Sequence, residues 1–241
     1  MIGFLFSLVS FSVIDHFDLH RECVCIAMSH LDRYLANYPD LVDKNQFQLL
    51  AMTCLYLSIK LNEYKHLIIP GSKSSMETIL HLSKGFFTND QMEKMECDIL
   101  QRLQWHVHPP TPQVFVKHFM LFLISDDCEE RDLHDLAQFY VELSAMDYFF
   151  VEHKASDVAL AALLNAMDSS ATPTQETTLQ LPFQDEVVDL ESASIRACRE
   201  RLSLIHAQAT GATPAAVRTP KRTEDIGHRT TSPVSVMEDT P

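Results

Sequence analysis

Two charged residues sit where apolar ones belong. Lys60 closes the run FQLLAMTCLYLSIK, which is apolar from Phe47 to Ile59 apart from small or easily hidden polar groups. Glu96 falls, on a helical wheel started at Thr88, among Met92, Ile99, Leu100 and Leu103, whereas Asp98 points the other way. A carboxylate within an apolar stripe loses solvation and stays ionised only beside a cation or several donors. Lys60 is the evident cation. Two opposed charges in a partly apolar surface can grip the backbone of another protein. The ammonium donates to carbonyls and the carboxylate accepts from N–H groups, each bond contributing about 1.5–3 kcal/mol. A plainer reading stays open on spacing alone. Lys60 also suits a helix C-terminus, where the dipole favours a cation, and Glu96 also suits the edge of an apolar face.

Other chemistry is not called for. The chain has no Ser/His/Asp arrangement, phosphate loop or paired acid–base carboxylates at helical spacing. The cysteines at 23, 25, 54, 97, 128 and 198 read as buried, reduced thiols of a cytosolic or nuclear protein. Cys23-Val24-Cys25 is too tight for a zinc pair and no second pair answers it, so neither metal nor cofactor is expected. His106 and His108 flank a proline-rich turn and suit the surface. A net charge of −14 opposes nucleic-acid binding. The apolar start, Met1 to Ile14, is shorter than the roughly 18 residues of a membrane span, so a core helix is expected and no membrane partner. It also lacks the positive start and cleavage site of a secretory signal.

The elements that must position Lys60 and Glu96 are helices. Apolar residues recur at helical spacing to about residue 168, no segment alternates at period two, and only 5 glycines are present, so the fold class is all-α. Helices are predicted over Phe4–His16, His20–Tyr38, Phe47–Lys60 and Met76–Ser83. Thr88-Asn-Asp-Gln91 is a capping box that opens the Glu96 helix. HVHPPTP, residues 106–112, stops any helix and marks a boundary. Beyond it, helices are predicted over Val114–Ile124, from about Leu133 to Phe150, over Ser156–Asp168, and over Ser192–His206. Phe47–Lys60 and Ser156–Asp168 are each apolar nearly all round, the mark of a helix surrounded by others. The two halves thus repeat one plan. Ser169–Pro182 reads as a linker, and 207–241 as a disordered tail rich in Thr, Pro and charge.

HLDRYLANYPDLVDKNQFQLLAMTCLYLSIKLNE together with FTNDQMEKMECDILQRLQWHVHPPTPQVFV resembles a cyclin box, over about Val13 to Val116. The Leu31–Leu35 run, the Lys60…Glu63 helix end, Met95-Glu96 and the Pro-Thr-Pro exit occur in the family's order. Tyr140–Ala166 is similar to the opening of the family's second fold. The resemblance implies two tandem cyclin-like helical bundles, 1–109 and 110–206, ahead of the tail. It implies a regulatory subunit without catalysis of its own, which binds and activates a cyclin-dependent Ser/Thr protein kinase in cell-cycle control, in the nucleus and/or cytoplasm. Lys60 and Glu96 match the pair that bonds the kinase backbone just before its mobile C-helix. Pushing that helix inward forms the kinase's own Lys–Glu pair. Leu57, Leu61, Leu100, Trp105 and Val107 match the apolar part of that surface, with Trp105, the only tryptophan, as its anchor.

The same resemblance assigns a docking groove for kinase substrates or inhibitors to Gln48, Ile2, Leu5, Phe6 and Val9. Here the chain departs from the pattern. The arginine that usually pairs with the aspartate matching Asp32 falls on Gly3, and the groove tryptophan falls on Val9. Thr219-Pro-Lys-Arg and Ser232-Pro fit proline-directed phosphorylation. The rival reading is a transcription-factor-like module that uses the same fold to bind DNA or transcription machinery; the acidic charge opposes it.

Overall fold

Lys60 and Glu96 are brought together by a bundle whose helices start at legible caps. A computed structural model describes residues 2–37, 43–63, 74–121, 127–169 and 192–211. They form α1 (Ile2–His16), α2 (Glu22–Asn37), α3 (Lys44–Asn62), α4 (Ser75–Leu82), α5 (Asn89–Arg102), α6 (Pro112–Met120), α7 (Asp127–Ser144), α8 (Ala155–Ser169) and α9 (Ala193–Thr210), with a short 3-10 helix at Tyr148–Glu152. No strand occurs among the described residues.

The Thr88 capping box forms as expected: Gln91 N–H donates to Thr88 Oγ1 (3.3 Å), and Thr88 N–H to Gln91 Oε1 (2.8 Å). A second box, unforeseen, opens α3, where Gln46 N–H donates to Asp43 Oδ1 at 2.7 Å and the Gln46 side chain returns to the Asp43 N–H. The proline turn that ends the first bundle also starts the second. Thr111 caps α6 through its hydroxyl, and Pro112 occupies the first helical position, where no N–H is needed.

Each bundle closes around one central helix. Leu50, Cys54, Leu57 and Ile59 of α3 lie in the first core, no more than 2% exposed, with Leu31 of α2 and Ile99 of α5. Val158 to Leu163 of α8 form the second with Tyr140, Cys198 and Leu202. At roughly 1.5–3 kcal/mol per fully buried large apolar side chain, these two helices are the main stabilising elements. The α2 end of the first bundle is tied to the second. Arg21 bridges Asp15 and Glu142, Glu22 accepts from Thr111 Oγ1 at 2.5 Å, and Ser7 Oγ donates to the Ala145 carbonyl at 2.9 Å.

Some expected boundaries move. The α7 helix stops at Ser144, because the Asp147 carboxylate caps Phe149 N–H (3.0 Å) and winds the next residues into the 3-10 turn. The last helix runs to Thr210 rather than ending at His206, and Gly211 at φ 68° stops it, so residues 207–210 are helical rather than tail. Residues 170–191 and 212–241, with most of the expected linker and tail and with Thr219 and Ser232, lie outside the described residues. Of the thiols, Cys23, Cys54 and Cys198 are buried and Cys25 is half-buried; Cys97 is exposed, against expectation, because it faces away from the α5 stripe. The Cys128 side chain lies outside the described residues.

Candidate functional site

Lys60 Nζ lies 2.7 Å from Glu96 Oε1, the two side chains being 48% and 11% exposed. Each position follows from its helix. Lys60 sits in the last turn of α3, where the buried run reaches solvent. Glu96 lies between Met92 and Ile99 on the buried face of α5, which packs on α3. The geometry therefore selects the paired reading over the two separate ones. The Glu96 carboxylate accepting from it holds the Lys60 ammonium above the ordinary lysine range, against the opposing effect of burial. Lys60 Nζ also lies 5.5 Å from the centre of the Tyr56 ring.

The pair borders an open concavity of about 540 Å³, lined also by Tyr56, Glu63, Met76 and Glu93. An ammonium has three donors and a carboxylate several acceptor sites, so one mutual bond leaves both groups able to bond a third party. Glu63, at the C-cap of α3, is spent internally: its Oε1 accepts from His20 N–H at 2.5 Å and from Cys23 Sγ. Asp98, expected on the other face of α5, accepts from Tyr34 Oη (2.5 Å) and Arg102 Nε (2.7 Å), fastening α5 to α2.

The apolar candidates divide. Trp105 is 69% exposed and Leu61 39%, while Leu100 and Val107 are half-buried against the first core. Leu57 is a correction: at 1% exposure it belongs to the core and offers nothing to a partner. Periodicity cannot say which side of an apolar helix faces out. Trp105 is displayed by the end of α5. Trp105 N–H donates to Leu100 O (2.9 Å) and Gln104 N–H to Gln101 O (3.0 Å), the paired bonds of a Schellman cap. Gln104 takes the left-handed position such caps usually give to glycine, at φ 51°, and Trp105 follows at φ 62°. Each such residue costs roughly 1–3 kcal/mol. No sequence signal marks this, since a glycine is what would have announced it.

Of the docking candidates, Leu5 (62%) and Val9 (53%) are exposed, Gln48 is exposed, and Phe6 packs partly on the core. The side chain of Ile2 lies outside the described residues. No cation pairs with Asp32 among the described residues, and burial pushes its carboxyl up to about 6. Asp32 and Arg33 line a second concavity, about 690 Å³, between the two bundles. His106 and His108 are exposed. Among the described residues no group of three His, Cys, Asp or Glu could hold a metal ion, and no helix is long and apolar enough to cross a membrane.

Comparison with known proteins agrees with this architecture. The family "Cyclin, N-terminal domain" matches residues 8–108 and "Cyclin, C-terminal domain" residues 110–235. The chain is 28% identical over 189 residues to G1/S-specific cyclin-D1 of Xenopus laevis, and 25% identical over 189 residues to that of Mus musculus. It is 30% identical over 147 residues, 61% of this chain, to putative cyclin-B3-1 of Arabidopsis thaliana. It spans 61% of the length of the D1 relatives, which match 76% and 77% of it, and 34% of the B3-1 protein. In three dimensions it is similar to a viral cyclin from herpesvirus saimiri, with a TM-score of 0.67 at 18% identity, covering 86% of each chain; that likeness shows the fold. With two tandem helical bundles, a paired Lys60 and Glu96, and family matches across both halves, the chain belongs to the cyclin family.

Proposed function

We propose that this protein is the regulatory subunit of a cyclin-dependent Ser/Thr protein kinase and activates it in cell-cycle control, in the nucleus and/or cytoplasm. The observation that carries the reading is the Lys60–Glu96 pair, closed to 2.7 Å with its lysine half-exposed at the rim of a concavity. The family matches supply the context: cyclins regulate kinases and do no catalysis themselves.

The mechanism is positional. Lys60 donates to kinase backbone carbonyls and Glu96 accepts from kinase N–H groups, while Leu61, Leu100, Trp105 and Val107 cover the apolar surface beside them. Binding there biases the kinase C-helix inward and completes the kinase's Lys–Glu pair. The cyclin acts by differential affinity for the two kinase states, since a ligand shifts an equilibrium only by that difference. Substrates or inhibitors of the kinase would meet the exposed Leu5, Val9 and Gln48, a docking role that remains secondary because Gly3 and Val9 replace the family's arginine and tryptophan. Thr219 and Ser232 are proposed as phosphorylation sites in the same regulation.

The test is capture. Lys60→Ala with Glu96→Ala is expected to lose kinase co-purification while keeping the helical circular dichroism signal; undiminished capture by the double variant refutes the reading. Salt-dependent DNA binding by the wild-type protein would instead favour the transcription-module alternative.

A further inference from the structure

A buried imidazole reaches from α2 to the surface turn that carries Trp105. His30 is 0% exposed, and its Nε2 lies 2.9 Å from the Val107 carbonyl oxygen. A carbonyl only accepts, so Nε2 bears the proton and donates, and Nδ1 carries a bare lone pair. That Nδ1 has no hydrogen-bond partner among the described residues. The ring therefore spends its one donor on this carbonyl and leaves its acceptor unmet. Burial keeps the imidazole neutral, pushed down to about 4.

The segment it holds is strained at two successive residues, whereas Asp18 and Lys84 take the left-handed region singly. Gln104 and Trp105 are consecutive non-glycine residues in the left-handed region, at φ 51° and 62°. Side-chain-bearing residues stay there only when their surroundings over-determine them. On one side the Schellman bonds fix the turn to α5. On the other, Val107 N–H donates back to the Trp105 carbonyl at 3.0 Å, and the Val107 carbonyl is the one His30 takes. The turn is thus anchored at both ends, and between the anchors the largest side chain of the region stands 69% exposed. A polar residue in the middle of a core, an orphaned lone pair and a costly backbone all converge on the display of one indole.

We infer that His30 is a positioning residue for the partner surface: by donating to the Val107 carbonyl it locks the Gln104–Val107 turn in the left-handed form that projects Trp105. The use made of Trp105 rests on the kinase-regulator reading; the lock itself does not, and the two are tested separately.

Trp105 is the only tryptophan, so protein labelled with 5-fluorotryptophan gives one ¹⁹F resonance that reports this turn directly. His30→Met and His30→Gln fill similar space, but only the glutamine keeps an N–H donor. Their difference therefore reads the hydrogen bond rather than core packing. His30→Met should move the resonance toward its position in urea-unfolded protein and broaden it, with helicity retained. His30→Gln should restore most of the native shift. Gln104→Pro leaves the core side chains untouched, forbids φ 51° and removes the Gln104 N–H that bonds Gln101, so it should displace the resonance as His30→Met does, even if the core variants fold poorly. Affinity for a cyclin-dependent kinase captured by the wild-type protein should fall at least tenfold in His30→Met and Gln104→Pro and recover in His30→Gln. An unmoved resonance in His30→Met or in Gln104→Pro overturns the inference, as do equal displacements by the Met and Gln variants. A displaced resonance with unchanged kinase affinity also overturns it, and does so without touching the kinase reading, which rests on Lys60 and Glu96.

Discussion

α3 and α8 are the central helices of their bundles, and each ends on polar side chains that reach the helix packed beside it. In the second bundle those groups consume one another. Asn165, 3% exposed, donates to the Arg199 carbonyl (2.9 Å) and to Ser203 Oγ (3.2 Å), and its own oxygen accepts from Arg199 Nε at 3.1 Å. Arg199 spends its remaining reach on Asp168, and its side chain is only 17% exposed. In the first bundle Lys60 gives one bond to Glu96 and keeps its ammonium in the open. One helical plan has thus produced a staple in one copy and an open grip in the other. A charge near the end of a buried helix becomes a site when its hydrogen-bonding capacity is left unfilled.

Breaking the staple should cost stability, whereas breaking the grip should cost binding. Arg199→Ala leaves the buried Asn165 oxygen without its donor and is expected to destabilise the fold by about 2 kcal/mol in urea denaturation. Lys60→Ala together with Glu96→Gln removes both charges of a pair whose cation is half-exposed, leaves no buried carboxylate unpaired, and should cost no more than about 1 kcal/mol in the same measurement. Equal losses from the two variants would erase the contrast.

Within α2 two buried titrations oppose one another. The Asp32 carboxyl is pushed up to about 6 by burial. An unfolded aspartate titrates near ~4, so the folded protein binds more protons between those values, and Asp32 is a standing cost at neutral pH that fades as pH falls through 6. His30, pushed down to about 4 by burial and in the same direction by Arg33 and His108, behaves oppositely. Its contribution is complete above the unfolded value of ~6.5 and is lost as pH falls toward the folded one. Asp32→Asn should therefore stabilise the protein at pH 7 by on the order of 2 kcal/mol and steepen the loss of stability between pH 6.5 and 4. Urea midpoints across that range check both; a variant no more stable than wild type at pH 7 would mean that Asp32 has a cation after all.

The smallest effect sharpens the comparison at the end of α5. Gln104→Gly should relieve the left-handed strain and raise stability by about 1 kcal/mol, roughly 2–4 °C in melting temperature, while leaving kinase binding at the wild-type level, because glycine takes the same left-handed form. A loss of binding in this variant would show that the left-handed turn is not what presents Trp105.

Much of this was written legibly in the chain. A carboxylate among Met92, Ile99 and Leu100 needs a partner and pointed to Lys60, but spacing alone left the unpaired reading open, and it was the cyclin-box resemblance that joined the two. Capping chemistry at Thr88 and the proline turn at Pro109–Pro112 located helix starts because side-chain hydrogen bonds act locally. Leu57 was misplaced because an apolar helix has no readable outward face. The stop of α7 was missed because Met146, Phe149 and Phe150 continue the apolar spacing while Asp147 alone turns the backbone. The His30 contact joins residues far apart in the chain, and no local pattern predicts such a bond. The Gln104 turn lacks the glycine that would have signalled it.

The central claim is that Lys60 and Glu96 form one external grip for a kinase. The most direct measurement is the affinity of wild type, both single alanine variants and the double variant for one recombinant cyclin-dependent kinase, with helicity checked in each. The account predicts that the double variant loses at least a hundredfold in affinity, about 3 kcal/mol, with no loss of helical signal. Wild-type affinity in a folded double variant would contradict it.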